Sequence, residues 1–320
     1  MAPQPGLRIP PDTDVTPRTV PDDLSAYIHR LCADAGACAC GIATVGPVDD
    51  GAARIYSGWI ARGCHGSMNY LAHYDDVRRH PALLLDGART LVMCAFAYGT
   101  GLRSPLFADY ALGDDYHTVL REALAPVASA LEEAVPGTAT RICVDTAPLR
   151  ERYWAQRAGV GFIGLNNQLI VPGIGSAVFL AALLWTGDAA PDAPCTASCT
   201  GCGACVRACP GKALDGHGGM DARRCLSYLT IEHRDALPDG LSLPGRIYGC
   251  DICRDVCPLG KGDTEVNVLP ALRPRPEILA LDIAAVRALD RPAFSATFRR
   301  SAIKRAKLDG LLRNAARHKQ

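Results

Sequence analysis

Cys199, Cys202, Cys205 and Cys209 stand in the stretch "CTGCGACVRACPG" at the spacing C-x2-C-x2-C-x3-C-P, with Pro210 after the last. Two-residue spacers let three successive thiolates converge on the iron corners of one 4Fe–4S cube, while the fourth cysteine of such a run reaches across to a second cube. The second cube then needs three more thiolates and the first needs one. Downstream the chain offers four: Cys225, Cys250, Cys253 and Cys257, the last followed by Pro258. The crossed pattern assigns Cys199, Cys202, Cys205 and Cys257 to one cluster, and Cys209, Cys225, Cys250 and Cys253 to the other. Structural zinc also takes paired C-x2-C spacings, but it rarely uses three cysteines at x2-x2 followed by x3-C-P. Two clusters deliver electrons one at a time and together can serve a two-electron reduction; the array alone does not say what is reduced.

The rest of the composition narrows the setting. The chain of 320 residues holds 15 cysteines, and its N-terminus, "MAPQPGLRIPPDTDVTPRTVP", lacks the basic-then-apolar pattern of a secretory signal. Reduced thiols in a cytoplasmic protein are therefore expected, rather than a disulfide framework. The seven cysteines outside the array, at positions 32, 38, 40, 64, 94, 143 and 195, show no ligand spacing and read as small core residues. No apolar run reaches the roughly 20 residues that span a bilayer, so no membrane association is expected. The net charge of +1 gives the whole chain no nucleic-acid signature, although residues 298–320 carry eight Lys or Arg against one Asp. Neither G-x-G-x-x-G after a strand nor G-x4-G-K-[ST] is present, which removes the usual marks of nicotinamide and nucleotide sites.

About 175 residues precede the array, too many for a plain ferredoxin. Leu24, Tyr27, Ile28, Leu31 and Cys32 recur at helical spacing between Pro21 and Gly36. Strands are expected at 40–45, at 90–98 and at 140–144, the last preceding a helix over 149–158. Helices are expected at 52–62 and 67–74, and a long one from an Asp115 cap to about Val135, with Leu120, Leu124, Val127 and Leu131 on one face. Two apolar strands should flank the loop at 172–176, the second being the "AVFLAALLW" run. The expected organisation is a proline-rich disordered tail over 1–21, a mixed α+β catalytic domain over 22–190, a bacterial ferredoxin-like domain over 191–263, and a short basic helical segment over 264–320.

Four phrases carry a resemblance. "YALGDDYH" (110–117), "VDTAPLRERYWAQRAGVGFIGLNNQLI" (144–170), "DARRCLSYLTIEH" (221–233) and "GRIYGCDICRDVCP" (245–258) are similar to the epoxyqueuosine reductases, over about residues 22 to 315. The resemblance implies a cobalamin enzyme that reduces the epoxide of epoxyqueuosine, at the wobble position of tRNA anticodons, to queuosine. Cobalamin is implied by the resemblance alone. The D-x-H-x-x-G signature that places a histidine on cobalt begins at Asp115-Tyr116-His117, but Leu120 stands where its glycine should be. The family binds the cofactor without a protein histidine on the metal, so the missing signature raises no conflict.

The resemblance also implies roles for single residues. Asp145, in the "DTAP" turn, matches the family's catalytic aspartate; as proton donor to the departing oxygen it would need a raised pKa. On its residues alone it reads as a helix cap before Pro148. Arg78 in "RRHP" matches the arginine of an R-x-D-P phrase in which His80 replaces the acid. Ala108, Leu169 and Leu180 fall where the family lines its corrin pocket, and Ser227 and Asp251 lie beside cluster ligands. Arg152 could face the substrate, and Leu165 stands where many relatives have lysine.

An anticodon loop offers unstacked bases that can be drawn into a pocket, with phosphates for a basic face to hold. Arg300, Lys304 and Lys307, read as helically spaced, together with Arg313, would supply that face. Relatives with a C-terminal helical-repeat domain continue beyond the point where this sequence stops, so a short form is expected. It should act as a cytoplasmic monomer on tRNA, fed by an external electron donor. Two other readings are a reductive dehalogenase-like cobalamin enzyme, which would usually carry an export signal, and a ferredoxin-type carrier with no chemistry of its own.

Overall fold

The computed structural model describes residues 23–241, 243, 245–261 and 266–318. The expected tail over 1–21 and the domain boundary at 263 lie outside the described residues. The first part of the chain runs α1 (Leu24–Asp34), β1 (Ala39–Thr44), α2 (Asp50–Ala61), α3 (Asp75–Arg79), β2 (Thr90–Ala97), α4 (Tyr116–Ala134), β3 (Thr140–Cys143), α5 (Glu151–Arg157), β4 (Phe162–Ile163), β5 (Leu169–Ile170) and β6 (Val178–Trp185). Strands β1, β2, β6 and β3 form one sheet in that order, every neighbouring pair antiparallel.

That sheet is buried on both faces, which explains why β2 and β6 read as unbroken apolar runs rather than alternating ones. Val92, Cys94 and Phe96 pack with Ile28 and Cys32 of α1 and Leu120, Leu124, Val127 and Leu131 of α4. Leu91, Met93 and Ala95 point the other way, toward Trp154 and Ala155 of α5. All eight residues of β2 are buried, and each large side chain there contributes roughly 2 kcal/mol of hydrophobic stabilisation. Asp23 caps α1 by accepting from the Ala26 N–H at 2.9 Å, and Asp115 caps α4 through the His117 N–H at 3.0 Å.

Beyond Trp185 regular structure stops until α6 (Ala204–Ala208), α7 (Leu226–Ile231) and α8 (Ile252–Asp255), the short helices of the cysteine lobe. Its apolar clusters are small, one of them built from Cys205, Cys209, Ala213 and Leu214. The end of the chain folds as α9 (Pro276–Leu279), α10 (Ile283–Arg287), α11 (Arg291–Thr297) and α12 (Lys307–Ala316). Helix α12 clamps the lobe: the fully buried Asn314 amide donates to the Thr230 and Ile247 carbonyls, each at 2.8 Å.

Two expectations change. Residues 67–74 do not form a helix but a short 3-10 turn at Asn69–Leu71. The Ser67 N–H and hydroxyl both bond the Tyr228 hydroxyl at 2.8 Å, so tertiary partners take the groups a helix would need. The two strands expected to flank 172–176 are present, β5 pairing with β4 and β6 with β2 and β3. Arg300, Lys304 and Lys307 do not share one helix, because Arg300 and Lys307 take left-handed backbone (φ 55° and 59°) on either side of a 3-10 turn at Ala302–Ala306.

Candidate functional site

The antiparallel topology gathers the C-terminal ends of β2 and β3 and the start of β6 at one end of the sheet. The cysteine lobe docks there. Ser176 N–H donates to the Gly260 carbonyl at 3.0 Å, and the Asp109 N–H to Asp251 Oδ2 at 2.9 Å. The lobe's Arg254 lies over the Tyr98 ring, 5.8 Å from its centroid. A buried ion network pins the seam: Arg254 reaches Asp109 at 2.6 Å and Asp255 at 3.0 Å, Arg246 pairs with Asp251, and Arg103 with Asp255 at 2.8 Å. Three guanidiniums face three carboxylates, so no charge is left buried alone.

Asp145 lies just beyond β3 at this same end, where the β3–β6 register brings it level with Leu180. It is not a helix cap: Arg150 precedes α5, without a capping side chain. Instead Asp145 adopts left-handed backbone, φ 54°, uncommon for a residue with a Cβ. Its Oδ2 accepts from the Tyr116 hydroxyl at 2.9 Å and lies 3.0 Å from His117 Nε2, while its N–H donates to Glu151 Oε1 at 2.7 Å. His117 Nδ1 is 2.7 Å from Asp115 Oδ1, so the imidazole bridges two carboxylates. Tyr116 is stacked between His117 (4.2 Å) and Phe179 (4.4 Å), which fixes the hydroxyl toward Asp145.

The protonation pattern follows from these contacts. Burial opposes the charge on Asp145, but the His117 hydrogen bond and charge, with the Tyr116 hydroxyl, hold its carboxyl below the usual range. This corrects the raised value expected for a proton donor. Burial likewise opposes the charge on His117, yet Asp115 and Asp145 lift it to about 9. Glu151 is the carboxyl pushed up, to about 8, by burial and by the Asp145 charge. At neutral pH the protons of this group therefore rest on His117 and Glu151. The Asp145 side chain is 55% exposed.

The array cysteines are mutual neighbours. Cys205 interacts electrostatically with Cys257 and Cys199. Cys225 interacts with Cys209, Cys250 with Cys225, and Cys253 with Cys250, Cys225, Cys209 and Cys205. Burial, then these neighbours, pushes the Cys253 thiol to about 12, whereas Cys202 is exposed and the Ala204 N–H holds its thiol down. Among the described residues no three His, Cys, Asp or Glu converge closely enough to hold a single ion. An all-thiolate donor set is the one that 4Fe–4S clusters take. Gly211 explains the C-P-G ending: a Cβ there would lie 1.7 Å from the Arg224 carbonyl, the close approach that sets Cys209 beside Cys225. Gly249, at φ 74°, does the same at the seam, where a Cβ would meet that of Ala108 at 2.5 Å.

The remaining residues singled out from the sequence are scattered around this centre. Leu180 and Ser227 are half-buried. Ala108 and Leu169 are fully packed, and Asp251 is buried and engaged by Arg246 and the Asp109 N–H. Arg78 is buried and donates to the Tyr70 and His73 carbonyls. Arg152 donates to the Asn167 carbonyl, and Asn166 of the same loop donates to the Cys253 carbonyl at 3.3 Å. Leu165 packs on the cluster at Cys205 and Cys209. Arg313 is not free for a phosphate: its guanidinium donates to the carbonyls of Leu229, His233 and Asp235. Arg305, not singled out from the sequence, pairs with Glu232 at 2.8 Å, lies over the Tyr70 ring and stands within electrostatic range of Asp145. His117, Tyr116 and Glu151 were also not anticipated as partners of Asp145; the only trace was the interrupted D-x-H pattern.

Comparison with known proteins gives the following. Residues 78–146 match the family described as epoxyqueuosine reductase QueG, DUF1730, and residues 198–260 match the 4Fe-4S double cluster binding domain. An epoxyqueuosine reductase of Leadbetterella byssophila is 34% identical over 310 residues, 92% of this chain and 98% of that protein. One of Xanthomonas campestris pv. campestris is 34% identical over 315 residues, 94% of this chain and 88% of that protein. A crystal structure of epoxyqueuosine reductase with a tRNA-Tyr epoxyqueuosine-modified tRNA stem loop superposes with TM-score 0.81 at 30% identity, covering 91% of this chain and 80% of that one. A Bacillus subtilis epoxyqueuosine reductase, captured with its catalytic aspartate loop swung out of the active site, gives TM-score 0.82 at 28% identity, with 91% and 80% covered.

Proposed function

The chain belongs to the epoxyqueuosine reductase family, and from that premise we propose how its residues reduce epoxyqueuosine to queuosine in a tRNA anticodon loop. The observation that carries the reading is Asp145, half open to solvent at the end of the sheet where the cysteine lobe docks. Removing an epoxide oxygen as water takes two electrons and two protons. The double-cluster domain is the source of the electrons. We assign Cys199, Cys202, Cys205 and Cys257 to the shallower cluster, where an external donor would deliver, and Cys209, Cys225, Cys250 and Cys253 to the deeper one.

Cobalamin, when bound, supplies a reduced cobalt centre able to attack or activate an epoxide carbon. The residues present fit such a group in three respects. Leu180 and Ser227 keep part of their surface, and Ala108, Leu169, Arg78 and Asp251 are buried, as residues lining and supporting a corrin pocket would be. The Ser176 hydroxyl is buried at the seam without a protein partner. Both ring nitrogens of His117 are occupied by carboxylates, so this histidine is held for proton work rather than for a metal.

The proton for the departing oxygen is stored on His117 and reaches the substrate through Asp145 Oδ2, 3.0 Å away. Glu151, bonded to the Asp145 N–H, stores the second. The left-handed turn and the Tyr116 stack hold Asp145 so that a single carboxylate oxygen serves as the relay. The exposed cations Arg300, Lys304, Arg305 and Lys307 would hold the anticodon-loop phosphates, with Tyr70 offering a ring beside them for an unstacked base. The catalytic domain over 22–190, the cluster domain over 191–263 and the basic segment over 264–320 thus take chemistry, electron delivery and RNA grip. Among the described residues no helix is long and apolar enough to cross a membrane.

Anaerobic reconstitution with iron, sulfide and cobalamin, followed by a visible spectrum and an assay on tRNA bearing epoxyqueuosine, tests the reading. Corrin absorption and queuosine product are expected; a protein giving neither is a ferredoxin-type carrier, and the proposal fails.

A further inference from the structure

Away from Asp145 and its hydrogen-bond partners, three thiols from three elements meet. Cys32 comes from α1, Cys40 from the edge strand β1, and Cys94 from β2, where it is the register partner of Cys40. Cys94 Sγ is 3.5 Å from Cys32 Sγ, and both are fully buried. Cys40 is only half-buried and lies close enough to the Cys32 side chain for the two thiols to interact electrostatically. By spacing alone all three are core residues. Two further side chains argue otherwise.

His29 Nδ1 stands 3.1 Å from Cys40 Sγ, and its Nε2 stands 3.0 Å from Asp192 Oδ2. Asp192 is itself fixed: the same oxygen accepts the Ile42 N–H at 2.8 Å, and the Asp192 N–H donates to the Ile42 carbonyl at 2.9 Å. A thiol, an imidazole and a carboxylate in file are the arrangement in which a base takes the thiol proton and a third group orients the base. The imidazole is 38% exposed and Asp192 35%, so the file opens to solvent rather than into the core. Burial and the Cys32 side chain push the Cys40 thiol up, so attack depends on His29 removing the proton as the new bond forms.

We propose that Cys40, His29 and Cys32 form a hydroperoxide-reactive dithiol site, separate from the reductase centre. Cys40 sulfur attacks a peroxide oxygen, the O–O bond breaks, and the leaving oxygen takes the proton that His29 received from the thiol. Cys40 becomes a sulfenic acid and the peroxide leaves as water or an alcohol. Cys32 sulfur then attacks Cys40 sulfur, the S–O bond breaks, and the hydroxyl departs with the Cys32 proton as water. The two thiols lose two electrons, the peroxide gains two, and a Cys32–Cys40 disulfide ties α1 to β1. A dithiol reductant reverses it. Cys94, behind Cys32 and out of solvent, is the spectator.

The site is tested on cluster-loaded protein by following each cysteine separately in peptide digests. Under brief iodoacetamide treatment Cys40 should alkylate faster than Cys38 and Cys195, which are also half-buried. His29→Gln should slow Cys40 alone by at least about 10-fold, a modest share of what a positioned base supplies. Substoichiometric hydroperoxide should give a Cys32–Cys40 disulfide, recognised after cleavage at Asp34 and lost on reduction, and Cys32→Ser should leave Cys40 as a trappable sulfenic acid. The proposal is overturned if Cys40 reacts no faster than Cys195, if the His29 variant retains the Cys40 rate, or if peroxide links another pair. Should His29→Gln lose its cluster absorbance through misfolding, the wild-type comparison of Cys40 with Cys195 and the identity of the disulfide still decide.

Discussion

Replacing His117 with Gln removes the cation hydrogen-bonded to Asp145, and its effect on stability should carry a distinctive pH signature. The imidazole is raised from 6.5 to about 9 in the fold by Asp115 and Asp145. At ~1.4 kcal/mol for each tenfold change in proton affinity, that is up to roughly 3 kcal/mol of linkage. Asp145 is more than half exposed, so solvent screening reduces the contribution to about 1–2 kcal/mol. Because the folded pKa lies above the unfolded one, the contribution is complete below 6.5, shrinks as pH climbs, and is gone once pH passes about 9. Urea unfolding of wild type and His117→Gln, compared from about pH 6 to about pH 10, should show a gap of about 1–2 kcal/mol at the acid end that closes at the alkaline end. A gap that stays constant with pH would mean that His117 acts by packing alone, and the stored-proton account of the site would be refuted.

Other changes separate the remaining roles. Asp145→Asn should cut single-turnover conversion of epoxyqueuosine by about 100-fold or more while cluster absorbance and unfolding midpoint stay near wild type. Cys257→Ser and Cys209→Ser should each lower bound iron from about eight to about four atoms per chain, the first sparing the deeper cluster and the second the shallower; electron paramagnetic resonance of the remaining cluster distinguishes them. Arg254→Ala should destabilise the protein by about 3–5 kcal/mol in chemical unfolding, since it leaves the buried Asp109 with its closest partner removed. Arg313→Ala should lower the unfolding midpoint yet leave the salt dependence of tRNA binding unchanged, whereas Lys304→Ala should reduce that salt slope by about one.

Much of the fold was legible because its causes are local. The helix at 24–34 follows from an apolar stripe and a capping aspartate, and the buried strands from runs too apolar to face water. The turn at 69–71 was not legible, because Ser67 just before it is held by the Tyr228 hydroxyl, 161 positions away. Arg313 misled for the same reason: in sequence it is one cation in a basic run, and in space it is a clamp on three carbonyls of the cysteine lobe.

The sequence by itself determined the cysteine array, since cluster ligands must recur at short fixed spacings, and it marked Asp145 through the phrase around it. Only the tertiary structure decided which groups govern that aspartate. His117 arrives from the cap of α4 and Glu151 from the start of α5, and electrostatic coupling depends on distance in space, with no trace in the spacing along the chain. The same holds for His29, Cys40 and Asp192, which stand in file across 163 positions because β1 carries the thiol to the point where the linker after β6 returns.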